Sequence, residues 1–273
     1  MQLRRNPDVI RDLALPLPLG AISALLGISQ QDAVLLAPWG SNIFRGFDPM
    51  LSGPMTDQIN LAAQNFAAYM HEHVEKRRRA RRQDDFLDHL LAVQSDGALL
   101  TDDELVANCV LLFVAGYETT TSVIGNSVLA LLRNPDQMRL LLERPDLNGN
   151  AVDEFLRYDG ALRMAFRTAL EDIEMGGKLI RRGDSVAFML AAANRDPERF
   201  PDPERLDLAR DAKNHVAFSH GIHYCLGAPL AKLEIQSALR ALCRHDFALA
   251  PCKLEWRQSI IFRSLDKLPI IFR

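Results

Sequence analysis

Along the first part of the chain apolar residues recur three and four apart, the spacing that lines one face of a helix, whereas beyond Gly160 they fall into short alternating runs. The segment up to about Ser52 reads as short helices. LGAISALLG closes at Gly27, and SQQDAVLLAPWGSNIF opens on Ser29, whose hydroxyl suits a cap. Thr56 to Arg82 reads as a longer amphipathic helix, and DDFLDHLLAVQ as another that stops near Gly97. Thr101-Asp-Asp-Glu104 has the reciprocal spacing of a capping box and opens the longest apolar run, Leu105 to Arg133, roughly 40–45 Å of helix at about 1.5 Å per residue. Asn134-Pro135 ends that run and starts a further helix, and VDEFLRYDG forms another.

Four later runs, RMAFRTAL, DIEMGG, KLIRRGD and SVAFMLAAA, read as strands joined at Gly-Gly and Gly-Asp turns. NRDPERFPDPERLDLAR is rich in proline and charge and reads as an irregular meander. A helix from Ala228 to His245 follows, then short strands ending in SIIFRSLDKLPIIFR. No internal repeat, low-complexity tract or linker divides the chain, so residues 1–273 are expected to form one mainly α domain with small β-sheets.

Composition narrows the function classes. With 48% hydrophobic residues in 273 the chain can bury a large core, and a net charge of −3 gives no drive toward nucleic acid or an anionic membrane. The basic run KRRRARR sits at a helix C-terminus, where cations complement the dipole, and reads as a solvated face. His71 and His73 diverge on their helix and make no metal pair. The longest apolar helix could span a bilayer, but Asn108, Gly116, Glu118, three threonines and Asn126 fit the centre of a soluble core better. Pro16 and Pro18 break the N-terminal apolar stretch and no cleavage site follows, which argues against a signal peptide and for a cytoplasmic protein. The four cysteines show no CxxC pairing, so neither a zinc ribbon nor a disulfide framework is expected.

One cysteine stands apart. Cys225 lies between a loop built on Phe218, Gly221 and Gly227 and the start of an apolar helix, where backbone N–H groups and the helix dipole lower a thiol's pKa. That setting suits a metal-binding thiolate. Cys109, Cys243 and Cys252 have no such loop and read as small buried hydrophobes.

Three stretches in this order, AGYETT at 115–120, EFLR at 154–157 and FSHGIHYCLG at 218–227, resemble the cytochrome P-450 family of haem-thiolate monooxygenases. The resemblance implies the cytochrome P-450 fold with its N-terminal part missing, since Met1 falls where family members are already well into their helical half. It implies haem b as cofactor and Cys225 as the axial ligand to its iron, with a thiolate's electron push favouring O–O cleavage. Gly227 would let a backbone N–H approach the sulfur, Gly221 would allow the turn, and Phe218 would pack beside the macrocycle. Ser219 departs from the glycine more usual there. Gly116 would permit close approach to the porphyrin face. Thr119 would bond back to the carbonyl of Ala115 or Gly116 and open a groove for oxygen, and Glu118 would pass protons through water toward it. Glu154 and Arg157 would join Arg205 in a buried network behind the cysteine loop, with Leu206 where the family usually has phenylalanine. Arg167 and His223 would bind the haem propionates. Leu111, Val114, Leu162, Met164, Phe166 and Phe262 are candidates for the substrate wall.

By the same resemblance the expected activity inserts one oxygen atom from O2 into an apolar small organic substrate. Without a GxGxxG fingerprint or a fused flavin domain, the electrons would come from a separate ferredoxin-type donor with its reductase. Lys232, Arg240 and Arg244 could form the basic docking face. Two alternatives stand beside this reading: a truncated, non-catalytic haem-binding protein or inactive fragment, and a peroxide-using member of the same fold.

Overall fold

In a computed structural model the described residues are 7–49, 51–80, 84–95 and 100–273. Nine α-helices are defined among them: α1 (Pro16–Leu25), α2 (Gln30–Arg45), α3 (Gly53–Arg79), α4 (Phe86–Ser95), α5 (Asp102–Arg133), α6 (Pro135–Glu143), α7 (Asn148–Asp159), α8 (Leu190–Ala193) and α9 (Ala228–Leu242). The strands are short and pair antiparallel two by two: β1 (Ala165–Thr168) with β4 (Ser185–Phe188), β2 (Ile173–Met175) with β3 (Lys178–Ile180), and β5 (Phe247–Leu249) with β6 (Ile270–Phe272).

Helix α5 runs through the middle and belongs to two cores. Its N-terminal half, with Phe113 and Tyr117, packs against Leu26 and Leu36 of the first helices and Phe66 of α3. Its C-terminal half, with Ile124 and Val128, packs against Phe155 of α7 and Ile235 and Leu239 of α9. The expected capping box is formed, with the Thr101 hydroxyl accepting from the Glu104 N–H at 3.2 Å and the Glu104 carboxylate accepting from the Thr101 N–H at 2.8 Å. From Thr120 to Leu131 every residue is buried, and Thr121, Ser122, Asn126 and Ser127 donate to backbone carbonyls. Thr121 donates to Ala14 O (3.1 Å), and Asn126 to Asp159 O and Arg263 O (both 3.0 Å). The helix is long and apolar enough to cross a membrane, yet it packs inside the protein.

Several boundaries moved. Helix α3 begins at Gly53 rather than Thr56 because Pro54 suits the first helical turn, whose N–H groups have no partner inside the helix; its expected end at Arg82 and the stop at Gly97 lie outside the described residues. The run SVAFMLAAA is a strand only to Phe188, since Leu190–Ala193 turns into α8. Helix α9 ends at Leu242, and the SIIFRSL stretch makes isolated bridges, Leu162 to Phe262 and Trp256 to Leu265, instead of strands. The basic run is not simply solvated: Arg77 is buried and pairs with Asp85 (2.5 Å) and Asp88 (3.0 Å), while Arg78 binds Glu75 and Asp102. These cations are occupied by the protein's own acids.

Among the described residues one buried acid has no hydrogen-bond partner. Glu234 of α9 is 4% exposed, neither of its oxygens is hydrogen bonded, and burial pushes its carboxyl up to about 7 from 4.5. A carboxyl raised on folding stabilises below its unfolded pKa, and that contribution is lost as pH rises through the folded one. Glu234→Gln is therefore expected to gain on the parent between about pH 5 and about pH 8, by on the order of 3 kcal/mol from the shift. Urea unfolding at both pH values checks this, and an equal effect at both would contradict it.

Candidate functional site

The cysteine loop is held at its backbone. Cys225 donates its N–H to Phe218 O at 2.9 Å and its carbonyl accepts from the Ala228 N–H at 3.3 Å, where α9 begins. Burial pushes the thiol up, more than the nearby N–H groups of Gly227 and Ala228 lower it. The lowered pKa expected from the helix start is thus not met by the chain alone. Gly221 adopts φ +66°, the turn its identity allows, but Ser219 also sits at φ +62°, where a side chain costs about 1 kcal/mol. Its N–H bond to Val216 O (2.9 Å) helps hold it there. Phe218 is buried in the core, with the His215 ring 5.6 Å away and the Tyr224 ring 6.3 Å away.

Around the sulfur the loop is open. Ile222 is 98% exposed and Leu226 80%, with Tyr224 also exposed. Apolar side chains left open beside a thiol at a helix start fit a broad apolar macrocycle whose metal the sulfur would bind. Arg167 and His223 fit the carboxylates of such a group: neither pairs with an acid among the described residues, His223 is exposed, and Arg167 donates only to its neighbour's carbonyl, Phe166 O. Of the other cysteines, Cys109 and Cys243 are shielded and burial pushes both up to about 11, as small core residues should be. Cys252, expected in the same class, is exposed.

On α5 the exposed stripe is Leu111 and Ala115, with Thr119 half-buried below it. Thr119 donates its hydroxyl to Ala115 O at 3.0 Å, one of the two acceptors expected. Gly116 does not open onto this stripe. A Cβ on Gly116 would come within 2.8 Å of the Ile22 side chain, so its smallness serves the approach of α1, and Ala115 is the small residue on the open side. Glu118 is 3% exposed and accepts from Arg257 Nη1 at 2.7 Å, and Arg257 also reaches Asp266 at 3.4 Å. The carboxylate is thus a buried ion-pair partner of the C-terminal segment, which the sequence did not reveal.

Behind the loop, Arg157 is 1% exposed and makes two parallel bonds to Glu154 at 2.7 and 2.8 Å. It also donates to the carbonyls of Asn194, Pro203 and Arg205. The second cation is Arg210, whose Nε lies 3.3 Å from Glu154, rather than Arg205, which contributes only its backbone oxygen. Leu206 is buried in the same core. The wall candidates divide. Leu111 and Phe166 are exposed and Leu162 and Met164 half-buried, but Val114 is fully buried in the core of the N-terminal helices. Phe262 is closed off by Phe44, with ring centroids 4.0 Å apart. Lys232 is not free for docking, because its Nζ lies 2.6 Å from Asp153. Asp153, Arg210 and Arg257 are site residues that pattern reading missed; Asp153 adjoins Glu154, and Arg257 falls in the EWRQ stretch.

The structure thus presents a thiol from a loop at a helix start, backed by a buried Glu-Arg pair, within a mainly helical frame. The model of the family described as Cytochrome P450 matches residues 34–144 and 147–265. The Biotin biosynthesis cytochrome P450 of Bacillus subtilis is 38% identical over the whole of this chain and 69% of its own length, and the Vitamin D(3) 25-hydroxylase of Pseudonocardia autotrophica is 41% identical over 96% of this chain and 65% of its own. The crystal structure of P450BioI in complex with an acyl carrier protein carrying hexadec-9Z-enoic acid superposes with a TM-score of 0.93 at 39% identity, covering 99% of this chain and 70% of that one. The chain belongs to the cytochrome P450 family, whose members bind haem b, and it spans about two thirds of the length of these relatives.

The network around Arg157 generates a ranked prediction for urea unfolding. Arg157→Ala strands a buried carboxylate and is expected to cost about 3–5 kcal/mol. Arg210→Ala should cost about 1–3 kcal/mol, and Arg205→Ala, which keeps its carbonyl, about 0.5 kcal/mol or less. Interchange of the last two would return Arg205 to the network.

Proposed function

We propose that the chain is the haem-thiolate part of a monooxygenase that inserts one oxygen atom from O2 into an apolar small organic substrate, with electrons from a separate ferredoxin-type donor and its reductase. The observation that carries it is Cys225, at the start of α9 with its N–H fixed to Phe218 O and its carbonyl to the Ala228 N–H, in a loop whose apolar side chains stand open. Haem, when bound, supplies oxygen activation, which thiolate ligation favours. Cys225 would be its ligand, with N–H donors from Gly227 and Ala228 moderating the charge on sulfur. Arg167 and His223 would bind its carboxylates. The exposed stripe at Leu111 and Ala115 would face the haem, with Thr119 holding its hydroxyl at Ala115 O and ready to turn it toward water.

Glu118 would act from behind Thr119, held by Arg257 at 2.7 Å, and would take part in proton delivery when that bond loosens. Leu162, Met164 and Phe166 supply apolar surface for the substrate. The relatives support the substrate class: one is named a vitamin D(3) hydroxylase and another is solved with a fatty acyl chain on a carrier protein. A cytoplasmic location fits the same reading. Of the three cations expected to dock a donor, Arg240 and Arg244 remain available, both exposed.

The reduced, haem-loaded protein under carbon monoxide is expected to show a thiolate-type Soret band, and Cys225→Ser to lose it. Thr119→Ala is expected to keep that band while diverting more of the electrons consumed to peroxide, read as peroxide released per reduced donor oxidised. Absence of haem uptake would favour the non-catalytic fragment, and turnover with peroxide alone would favour the peroxide-using alternative.

A further inference from the structure

Next to the acid of the Glu-Arg pair on α7 stands a second buried acid with a different set of partners. The Asp153 side chain is 9% exposed, and its Oδ1 lies 2.6 Å from Lys232 Nζ of α9 and 3.3 Å from His215 Nε2 at the start of the cysteine loop. His215 is itself almost fully buried, at 3% of its side chain. Its Nδ1 accepts from the Ala217 N–H at 3.1 Å, which leaves the ring proton on Nε2, pointed at Asp153. Burial alone would raise the Asp153 carboxyl, but the bonds from His215 and Lys232 outweigh it and hold it below the usual carboxylate range.

From these contacts we infer that Asp153, His215 and Lys232 form a clamp that positions Cys225. One carboxylate fastens both ends of the stretch that carries the cysteine: His215 before it and Lys232 after it. In between, the His215 ring lies against Phe218, the Lys232 ammonium sits 5.8 Å over the Phe218 ring, and the Phe218 carbonyl accepts the Cys225 N–H. Release of either end would free the Phe218 carbonyl that fixes the height of the sulfur above the start of α9. The three are positioning residues: the reading rests on Cys225 being the ligand, but the clamp itself is a property of the chain.

The clamp is tested on the full chain without haem, by the rate at which iodoacetamide alkylates Cys225, resolved by peptide mass mapping against Cys243 as the internal reference. Asp153→Asn and, separately, Lys232→Met are expected to raise the Cys225 rate about fivefold or more with Cys243 unchanged, because local opening is confined to the loop. Lys232→Arg, which keeps the cation, should restore the parent rate. In the haem-loaded protein the same two substitutions should lower the fraction of the carbon monoxide adduct with the thiolate-type band. A Cys225 rate that does not change, or that rises in step with Cys243, overturns the clamp. A chain that takes up no haem but whose Cys225 responds as expected keeps the clamp and sinks the functional reading instead.

Discussion

A guanidinium taken out of water has to be given acceptors by the protein, and at Arg157 this requirement orders a large part of the chain. Two of its acceptors come from Glu154, one turn earlier on α7. The others are the carbonyls of Asn194, Pro203 and Arg205, drawn from a stretch with little regular structure of its own. Few paths of that stretch bring three carbonyls to one side chain, so the meander is fixed by what it must satisfy rather than by its own ladder. Phe200 and Tyr158, with ring centroids 5.4 and 5.9 Å from the guanidinium carbon, close the remaining faces. Asn194 then passes the constraint on, since its side-chain oxygen accepts the Val216 N–H at 2.8 Å, immediately before the cysteine loop.

Helix α5 applies the same logic to the rest of the fold. Its polar residues interrupt an otherwise apolar span, and three of them grip segments distant in sequence. Thr121 holds the carbonyl of Ala14, Asn126 holds those of Asp159 and Arg263, and Glu118 holds Arg257. The stretch at Ala14 and the stretch at Arg257 to Arg263 are thereby fastened to one central helix. The polar groups that would be costly in lipid are among those that assemble the protein.

The helices were legible because their signals are local. The Thr101–Glu104 box, the Ser29 cap and the Asn134-Pro135 break depend on residues a few positions apart, and all three are formed. The Gly221 turn and the Glu154–Arg157 pair were legible because a short motif carries its own geometry. The failures share a different cause. Gly116, Val114 and Phe262 were assigned from position in a motif, but which way each faces depends on Ile22, the neighbouring core and Phe44, far away in sequence. Arg205 and Arg210 are both cations in the meander, and only its folded path decides which one reaches Glu154. Leu190 broke the expected strand because the chain must turn there for Asn194 to face Arg157.

Ser219 shows how firmly the cysteine loop is determined. A non-glycine residue at φ +62° is strained, and the strain persists only if neighbouring bonds over-determine the backbone. Those bonds are the Val216 N–H to Asn194, the Ala217 N–H to His215, the Ser219 N–H to Val216 and the Cys225 N–H to Phe218. The first traces back to the Arg157 network and the second to Asp153. Adjacent acids on α7 therefore act on the loop by separate routes, Glu154 through the meander that leads into it and Asp153 directly at its two ends. With the backbone fixed in this way, the sulfur can face an open apolar surface without the loop closing over it.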